Sequence, residues 1–427
     1  MRASRRNHSG IVAATSDQTM KMSSSQDAAA QEKGQPWQLT LYIMFAAQLL
    51  SIIGFAFSLP FIPFYIRELG VTDERLVPVW AGVLAASSSL VMAFFSPLWG
   101  WLADRHGRKI MVERAMFGGA IITFAMGLVG DIWQLLLLRL LSGATTGTIA
   151  ASIALVSSIV PQKKLGYSLG LMQVAVFLGM TLGPWIGGLL ADAIGFRHTF
   201  MVGGVILLMG GALVLFGARE RFHLPAKEAL GKSDRFFSLL AYGGFPAMMT
   251  LFFFFNFSVH FVMPILPLFI ETMCDPLRGV ASTTGMLFAI SGGAAALAAG
   301  GIGYLSDRVG YKPILAVNLI LTAVSLLLHG MAQSITQLVL LRVLYGIAAG
   351  GILPTMNALV GRLIPSTSYG KAYGFTAATT CLGMAAGPFF GGIMASYWGY
   401  RWPFVAVSVM MVLVALPVTA SIRHRSH

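Results

Sequence analysis

Charged side chains are scarce in this chain of 427 residues. Only 11% of the residues are Asp, Glu, Lys or Arg, whereas 56% are apolar. A soluble domain carries about 25% charged residues, because its surface must be hydrated. The composition therefore excludes a soluble globular fold and places the chain in lipid.

Cysteine is also nearly absent, with Cys274 and Cys381 as the two examples. Their spacing supports neither a disulfide framework nor a metal cluster, so we expect no metal. The sequence has no Gly-x-x-x-x-Gly-Lys-[Ser/Thr] loop, which argues against ATP as the driving force, and no cofactor is expected. No Ser, His and Asp combination has the context of a nucleophile, so an enzyme is the least favoured interpretation.

Long apolar runs recur along the chain and predict an all-α membrane protein. Each run has about 20 residues, enough for a helix to cross a bilayer core of about 30 Å. A barrel would instead show polar and apolar residues alternating over about ten positions, and no such pattern occurs. Twelve runs are predicted to span the membrane, centred near the following residues: Phe45, Ala86, Ile121, Ala150, Leu178, Leu208, Phe257, Ala294, Ser325, Leu353, Met384 and Met411.

The distribution of basic residues predicts the orientation. With both termini in the cytoplasm, 22 of the 29 Lys and Arg residues lie on the cytoplasmic side, five lie outside and two lie within spans. This asymmetry follows the positive-inside rule. The net charge of +13 is thus explained by topology and by attraction to the lipid bilayer, and no nucleic-acid partner is expected.

Composition also predicts the domain limits. Residues 1–35 are polar and form a predicted disordered cytoplasmic tail, within which Met20 or Met22 is an alternative start. Residues 36–218 are predicted to form one six-helix bundle and residues 241–427 a second, joined by a cytoplasmic linker at 219–240.

An internal repeat relates the two bundles. Gly100-Trp-Leu-Ala-Asp-Arg-His-Gly-Arg-Lys109 recurs 203 positions later as Gly303-Tyr-Leu-Ser-Asp-Arg-Val-Gly-Tyr-Lys312. Pro60-Phe-Ile-Pro63 recurs as Pro264-Ile-Leu-Pro267, at an offset of 204. Such duplication predicts two pseudo-symmetric bundles around a central cavity.

The duplicated loop suggests two roles for Asp104. Its carboxylate could cap a helix beginning near Arg108 and pair with Arg108 or Lys109, holding one conformation. Alternatively, the basic residues only anchor the topology and Gly107 provides a turn.

The same loop resembles a signature of the major facilitator superfamily, and the likeness extends over nearly the whole chain after the tail. The resemblance implies the major facilitator fold, with Asp104, Gly107, Arg108 and Lys109 as gating residues. Asp307, Gly310 and Lys312 form the second copy, which departs from the pattern at Tyr311 and is expected to latch more weakly.

Two arginines lie within predicted spans at matched positions. Arg139 and Arg342 each fall inside an apolar run, where a guanidinium should face protein or a water-filled cavity. The alternative is that each reaches the nearby interface. Leu135-x-x-x-Arg139-x-x-x-Gly143 resembles the span-four motif of the superfamily, and the resemblance implies a role in proton coupling.

Glycines at intervals of four predict close helix packing in spans five and eleven. The predicted packing positions are the following: Gly179, Gly183, Pro184, Gly187 and Gly188, with Gly383, Gly387, Pro388 and Gly391 in the second copy. The first set resembles a motif of the drug:proton antiporter branch and implies an exporter.

The predicted spans carry no Asp or Glu near their middle, so the proton carrier is open. His260 is the candidate imidazole in span seven, although a hydrogen-bonded neutral histidine is the commoner case. Asp104 and Asp192 are the alternatives.

Met and aromatic residues predict a cavity for lipophilic substrates, because flexible thioethers and flat rings adapt to varied shapes. Lipid-facing filler is the alternative for any one of them. The predicted cavity residues are the following: Gln48, Phe55, Met172, Gln173, Phe177, Phe253, Asn256 and Phe257.

These patterns, with the resemblance, predict a monomeric inner-membrane secondary transporter that exports small lipophilic compounds in exchange for protons. Uptake or exchange of a polar metabolite, such as a sugar or organic acid, is the alternative within transport. A non-transporting receptor or scaffold is the alternative from another class.

Overall fold

The computed structural model describes residues 37–145, 147–220, 244–274, 279–364 and 369–421. Every regular element in these ranges is a helix. Two short 3-10 helices lie at Leu59–Phe61 and Gln162–Lys164. The α-helices are the following: α1 Trp37–Ala56, α2 Ile62–Glu68, α3 Leu76–His106, α4 Arg108–Met126, α5 Ile132–Thr145, α6 Thr148–Ile159, α7 Leu165–Gly217, α8 Phe245–Val262, α9 Leu266–Glu271, α10 Val280–Val309, α11 Tyr311–Met331, α12 Ile335–Gly350, α13 Ile352–Leu363, α14 Tyr369–Trp398 and α15 Trp402–Ser421.

Length and composition mark nine helical stretches of the described residues as able to cross a membrane. One of them, α7, has 53 residues and would extend about 80 Å if it were straight, far more than a bilayer core. It is broken at Gly195, whose φ of 82° only glycine adopts at little cost, so it provides two rods. The predicted all-α membrane class is confirmed, and the count of twelve crossings remains a prediction.

Apolar side chains cover the outside of the helices as well as the core. Ile121, Phe216 and Leu297 are 69%, 85% and 86% exposed, respectively. In water such a surface would aggregate, whereas in a bilayer it faces acyl chains. The polar tail and the C-terminal residues from 422 onward lie outside the described residues, as does nearly all of the predicted linker.

The helices form two halves whose ends define two faces of the molecule. We call the end at which Trp37 begins α1 and Gly217 ends α7 the linker face, and the opposite end, where α2 stops at Glu68, the far face. Within the halves, α1 packs on α7 and α8 packs on α14. Between the halves, α3 packs on α14 and α7 packs on α10.

Three apolar clusters show where the halves join. One lies wholly in the C-terminal half and one, around Met44 and Met116, lies wholly in the N-terminal half. The third lies at the far face and combines Phe61 and Tyr65 with Leu268 and Ala281 of the other half. Within the described ranges, the two halves therefore share a core only at the far face.

Candidate functional site

Four glycine contacts seal the far face between the halves. A Cβ atom added to Gly188 would clash with the carbonyl oxygen of Ala281, and one added to Gly392 with that of Pro78. Pro78 and Ala281 are 203 positions apart, and Gly188 and Gly392 are 204 apart, so the two contacts are copies of each other. The same backbone approach recurs between Gly82 and Pro388 and between Gly285 and Pro184. No side chain fits at any of these points while the far face is closed.

An ion pair lies across this closed face. Nη1 of Arg67 contacts both carboxylate oxygens of Glu271, at 2.7 and 2.8 Å, and Nη2 of Arg67 contacts Glu74 at 2.7 Å. Arg67 and Glu271 are 204 positions apart, which is the offset of the flanking proline repeat. Tyr400 lies beside these charges, and burial and the Glu74 carboxylate raise the pKa of its phenol. We call Arg67, Glu74 and Glu271 the far-face ion cluster.

Asp192 joins the halves by a second polar contact. Its carboxylate accepts hydrogen bonds from the backbone N–H groups of Ala281, at 3.3 Å, and Ser282, at 2.8 Å, which open α10. A carboxylate at a helix N-terminus also meets the favourable end of the helix dipole. In the second copy, Ser396 stands in the place of Asp192 and Pro78 in the place of Ala281. Ser396 has no carboxylate and Pro78 has no N–H to donate, so this two-bond cap occurs in one of the two copies.

The linker face is open in contrast. A Cβ added at any of several glycines near this face would have no described heavy atom within 4 Å: Gly100, Gly166, Gly170, Gly300, Gly303 and Gly374. The structure thus has one closed and one open end.

The duplicated loops are tight glycine turns at the open face. Gly107 has φ 98° between α3 and α4, and Gly310 has φ 105° between α10 and α11. Glu220 caps the start of α4, because its oxygens accept from the backbone N–H groups of Arg108, at 3.0 Å, and Lys109, at 2.8 Å. The side chain of Asp104 itself lies outside the described residues.

The two basic residues of the first loop bind within their own half. Arg108 donates from Nη1 to the carbonyl of Ala154 at 3.1 Å, and Lys109 lies 3.4 Å from Glu113. Lys109 also donates to the carbonyl of Leu215 at 2.9 Å. In the second loop, the hydroxyl of Tyr311 donates to Asp307. Tyr311 thus gives Asp307 a local partner.

The two intramembrane arginines are buried in protein. Arg139 is 8% exposed and donates from Nε to the carbonyl of Leu84 at 3.2 Å. Arg342 is 6% exposed, and its guanidinium lies 5.5 Å from the ring centroids of Phe288 and Tyr345. No carboxylate among the described residues forms an ion pair with either guanidinium.

Of the histidines, His260 is held within α8, because its Nδ1 lies 2.9 Å from the carbonyl oxygen of Asn256. Sequence reasoning overlooked His329, which is 1% exposed near the far end of α11. Its Nδ1 lies 2.6 Å from the carbonyl of Ser325, and its ring stacks on Phe404 with centroids 6.0 Å apart. It lies near the end of its helix, so a search for an imidazole in the middle of a span does not find it.

The glycine stripes separate into two groups. Gly179 and Gly183 face α1, where an added Cβ would lie 2.6 Å from Ile52 and 2.8 Å from Ala56, and Gly187 faces the carbonyl of Phe57. The second copy does the same on α8, where Gly383, Gly387 and Gly391 face the carbonyls of Phe253, Phe257 and Phe261, respectively. These six glycines pack inside their halves, whereas Pro184, Gly188 and Pro388 cross between the halves.

The predicted cavity residues do not form one surface. Met172 is 1% exposed in the N-terminal core, so it does not line an open cavity in this state. Gln48 is 1% exposed, and neither its side-chain oxygen nor its nitrogen has a hydrogen-bond partner among the described residues. Phe55 packs against Gly119, while Gln173 is exposed and Phe177 half-buried.

On the other half, Phe253 and Phe257 stack with centroids 5.8 Å apart, and Asn256 donates to the carbonyl of Phe252 at 2.9 Å. Phe257 also borders a cavity of about 410 Å³ between α8, α14 and α15. Apolar side chains line it, including Met394, Trp398 and Met410.

Comparison with known proteins gives consistent results. The family model described as "Major Facilitator Superfamily" matches residues 44–275 and 248–427. "Multidrug resistance protein MdtG" of Citrobacter koseri is 33% identical over 394 residues, which cover 91% of this chain and 96% of that protein. The protein of the same name from Salmonella typhimurium is 33% identical over 395 residues and covers the same shares.

Solved structures share the fold. A bacterial homolog of the human lysosomal transporter Spinster, in an inward-facing and occupied conformation, superimposes with a TM-score of 0.75 at 16% identity, covering 91% of this chain and 98% of that one. The human organic anion transporter MFSD10 gives a TM-score of 0.64 at 20% identity, covering 90% and 100%. With its duplicated halves, glycine-sealed far face and full-length family match, this chain belongs to the major facilitator superfamily.

Proposed function

We propose that this protein is a secondary transporter that exports small lipophilic compounds through an inner membrane by alternating access, in exchange for protons. The observation that carries the proposal is the pairing of a sealed far face with an open linker face in one pseudo-symmetric molecule. The names of the relatives support drugs as the substrate class.

The linker face corresponds to the cytoplasm in this proposal. The basic residues concentrate at the ends of the helices on that side, as the positive-inside rule requires. Both termini then lie in the cytoplasm and the helices cross twelve times, as a monomer. The structure is accordingly an inward-open state, ready to accept a substrate from the cytoplasm or the inner leaflet.

Transport requires the halves to rock about their shared contact. The backbone contacts of Gly188 and Gly392, the far-face ion cluster and the Asp192 cap must all separate when the far face opens. The loops at Gly107 and Gly310 then approach at the linker face, where Asp104, Arg108 and Lys109 are proposed to hold the halves together. Opposing sets of contacts give two discrete states rather than a continuous range.

Asp192 is proposed as a latch in this mechanism. Both of its oxygens accept N–H bonds from α10 while the far face is closed, and these bonds break when that face opens. Arg139, Arg342 and His260 remain the proposed coupling residues, with the protonation step at His260.

The first test is accumulation of the cationic dye rhodamine 6G inside everted vesicles, with and without a pH gradient. Wild type should accumulate dye only when a gradient is imposed. Asp104→Asn should lower the rate about tenfold, because the linker-face closure loses a contact worth about 1.4 kcal/mol, while membrane insertion is unchanged. His260→Ala should retain dye movement and lose its dependence on the gradient.

Several results would contradict the proposal. Equal transport by wild type and Asp104→Asn removes the gating role of the loop. Saturable movement of a single polar solute, with no movement of dyes, supports a metabolite carrier instead. Failure to move any solute of a broad panel supports a receptor or scaffold.

A further inference from the structure

We propose that Arg114, on α4, forms an anion subsite that binds the acidic group of negatively charged amphipathic substrates. This inference rests on the proposed transport function and adds a substrate class that the lipophilic cavity residues do not predict.

The guanidinium of Arg114 is held in place by an aromatic ring. It lies 3.5 Å from the ring centroid of Trp99 on α3. Trp99 is itself fixed, because its Nε1 donates to the carbonyl of Ala144 at 2.6 Å. The arginine is therefore oriented by stacking, which leaves its N–H groups free to serve a ligand.

Those N–H groups have no acceptor in the described part of the chain. Nε and Nη1 of Arg114 are both buried and make no hydrogen bond. The neighbouring carboxylate of Glu113 pairs with Lys109 instead, at 3.4 Å. Arg114 as a whole is half-buried, and leaving its buried N–H groups without an acceptor is unfavourable. An anionic oxygen pair would remove that cost through a bidentate contact.

The surroundings of Arg114 are those of a binding site rather than a lipid surface. The rod formed by α5 and α6 is interrupted at Gly147, which has φ 128°. A Cβ at Gly147 would lie 3.9 Å from Nη2 of Arg114, and Gly118, one turn further along α4, faces Thr145. Broken backbone at membrane depth occurs where it is buried in protein or lines a water-filled cavity.

The repeat shows that this arrangement is not part of the common scaffold. At the offset of 203, Trp99 corresponds to Ile302 and Arg114 to Val317. The C-terminal half therefore has the helix break, at Gly351, without the cation and its aromatic support. A role in folding a six-helix half would be needed twice, whereas a role in binding is needed once.

Two dyes with the same xanthene ring system test the inference: anionic carboxyfluorescein and cationic rhodamine 6G. In everted vesicles, Arg114→Gln should lower carboxyfluorescein transport at least about tenfold and change rhodamine transport less than about twofold. Arg114→Lys should be intermediate, because it keeps the charge and loses the bidentate geometry. Lys163→Gln, which removes an exposed cation just before α7, is the control and should behave as wild type with both dyes.

The outcomes are separable. An equal fall for both dyes in Arg114→Gln, or no fall for either, overturns the subsite, as does a wild type that moves only rhodamine. If wild type moves neither dye, the proposed transport of such compounds fails, and the subsite is then tested by a binding measurement. The dissociation constant of purified protein for carboxyfluorescein, measured by anisotropy, should then rise at least about tenfold in Arg114→Gln, and an unchanged constant overturns the subsite.

Discussion

Gly188→Val should lower the transport rate at least about 30-fold while the protein remains folded. The closed far face brings the carbonyl of Ala281 into the space that the new side chain needs. Overpacking at a rigid backbone contact costs about 1–3 kcal/mol. Here the halves can separate to avoid the clash, so the cost falls on the closed state alone, and about 2 kcal/mol shifts a two-state population about 30-fold. Dye accumulation in everted vesicles measures the loss.

The adjacent residue provides the control. Gly187 faces the carbonyl of Phe57 within the same half, so Gly187→Val cannot be relieved by opening the far face. It should lower the melting temperature of the purified protein, whereas Gly188→Val should leave it within a few degrees of wild type. Equal melting losses for the two variants would show that Gly188 is also an ordinary packing residue. Full transport by Gly188→Val would show that the far face need not close.

Arg67→Glu should lower transport about tenfold or more by opening the far face. The substitution removes the contacts at 2.7 and 2.8 Å to Glu271 and places a third carboxylate beside Glu271 and Glu74. Arg67 and Glu271 are half-buried whereas Glu74 is exposed, so salt screens the Arg67–Glu271 pair only in part. Labelling of Ser282→Cys by a membrane-impermeant maleimide should become faster in this background, because Ser282 opens α10 at the sealed face.

The charge reversal can be repaired. Arg67→Glu combined with Glu271→Arg restores opposite charges at the two positions related by the repeat, so most of the transport should return. Glu271→Arg alone should be as poor as Arg67→Glu, since it opposes two cations. A double variant that is no better than the single variants would mean that the pair does not hold the halves together.

The sequence predicts the architecture well because residues at matched positions of the repeat occupy equivalent places in the two halves. Apolar runs dictate helices in lipid, and the matched offset predicts two similar halves. The same offset relates Arg67 to Glu271, so this ion pair could have been found by pairing each charged residue with its copy. It also relates Gly188 to Gly392, but these glycines contact Ala281 and Pro78 rather than each other. The family match then confirms the predicted superfamily.

The site is harder to predict because its partners are distant in sequence. Glu220, beyond the end of α7, caps α4 from more than 100 residues away, and the sequence of the loop does not predict that contact. Gly187 and Gly188 are neighbours with different partners, which only the rotation of α7 decides. In the sequence, Arg114 is one of several basic residues near the first duplicated loop. Only the structure shows that its buried N–H groups have no acceptor among the described residues.

The most direct test of alternating access is to measure whether the two faces move in opposite directions. Spin labels at Gly166 and Gly303 report on the linker face, and labels at Leu76 and Trp402 report on the far face, with Cys274 and Cys381 replaced. Addition of substrate or acid should shorten the first distance and lengthen the second in the same fraction of molecules. Two distances that change in the same direction, or one that changes alone, would contradict rocking of the two halves.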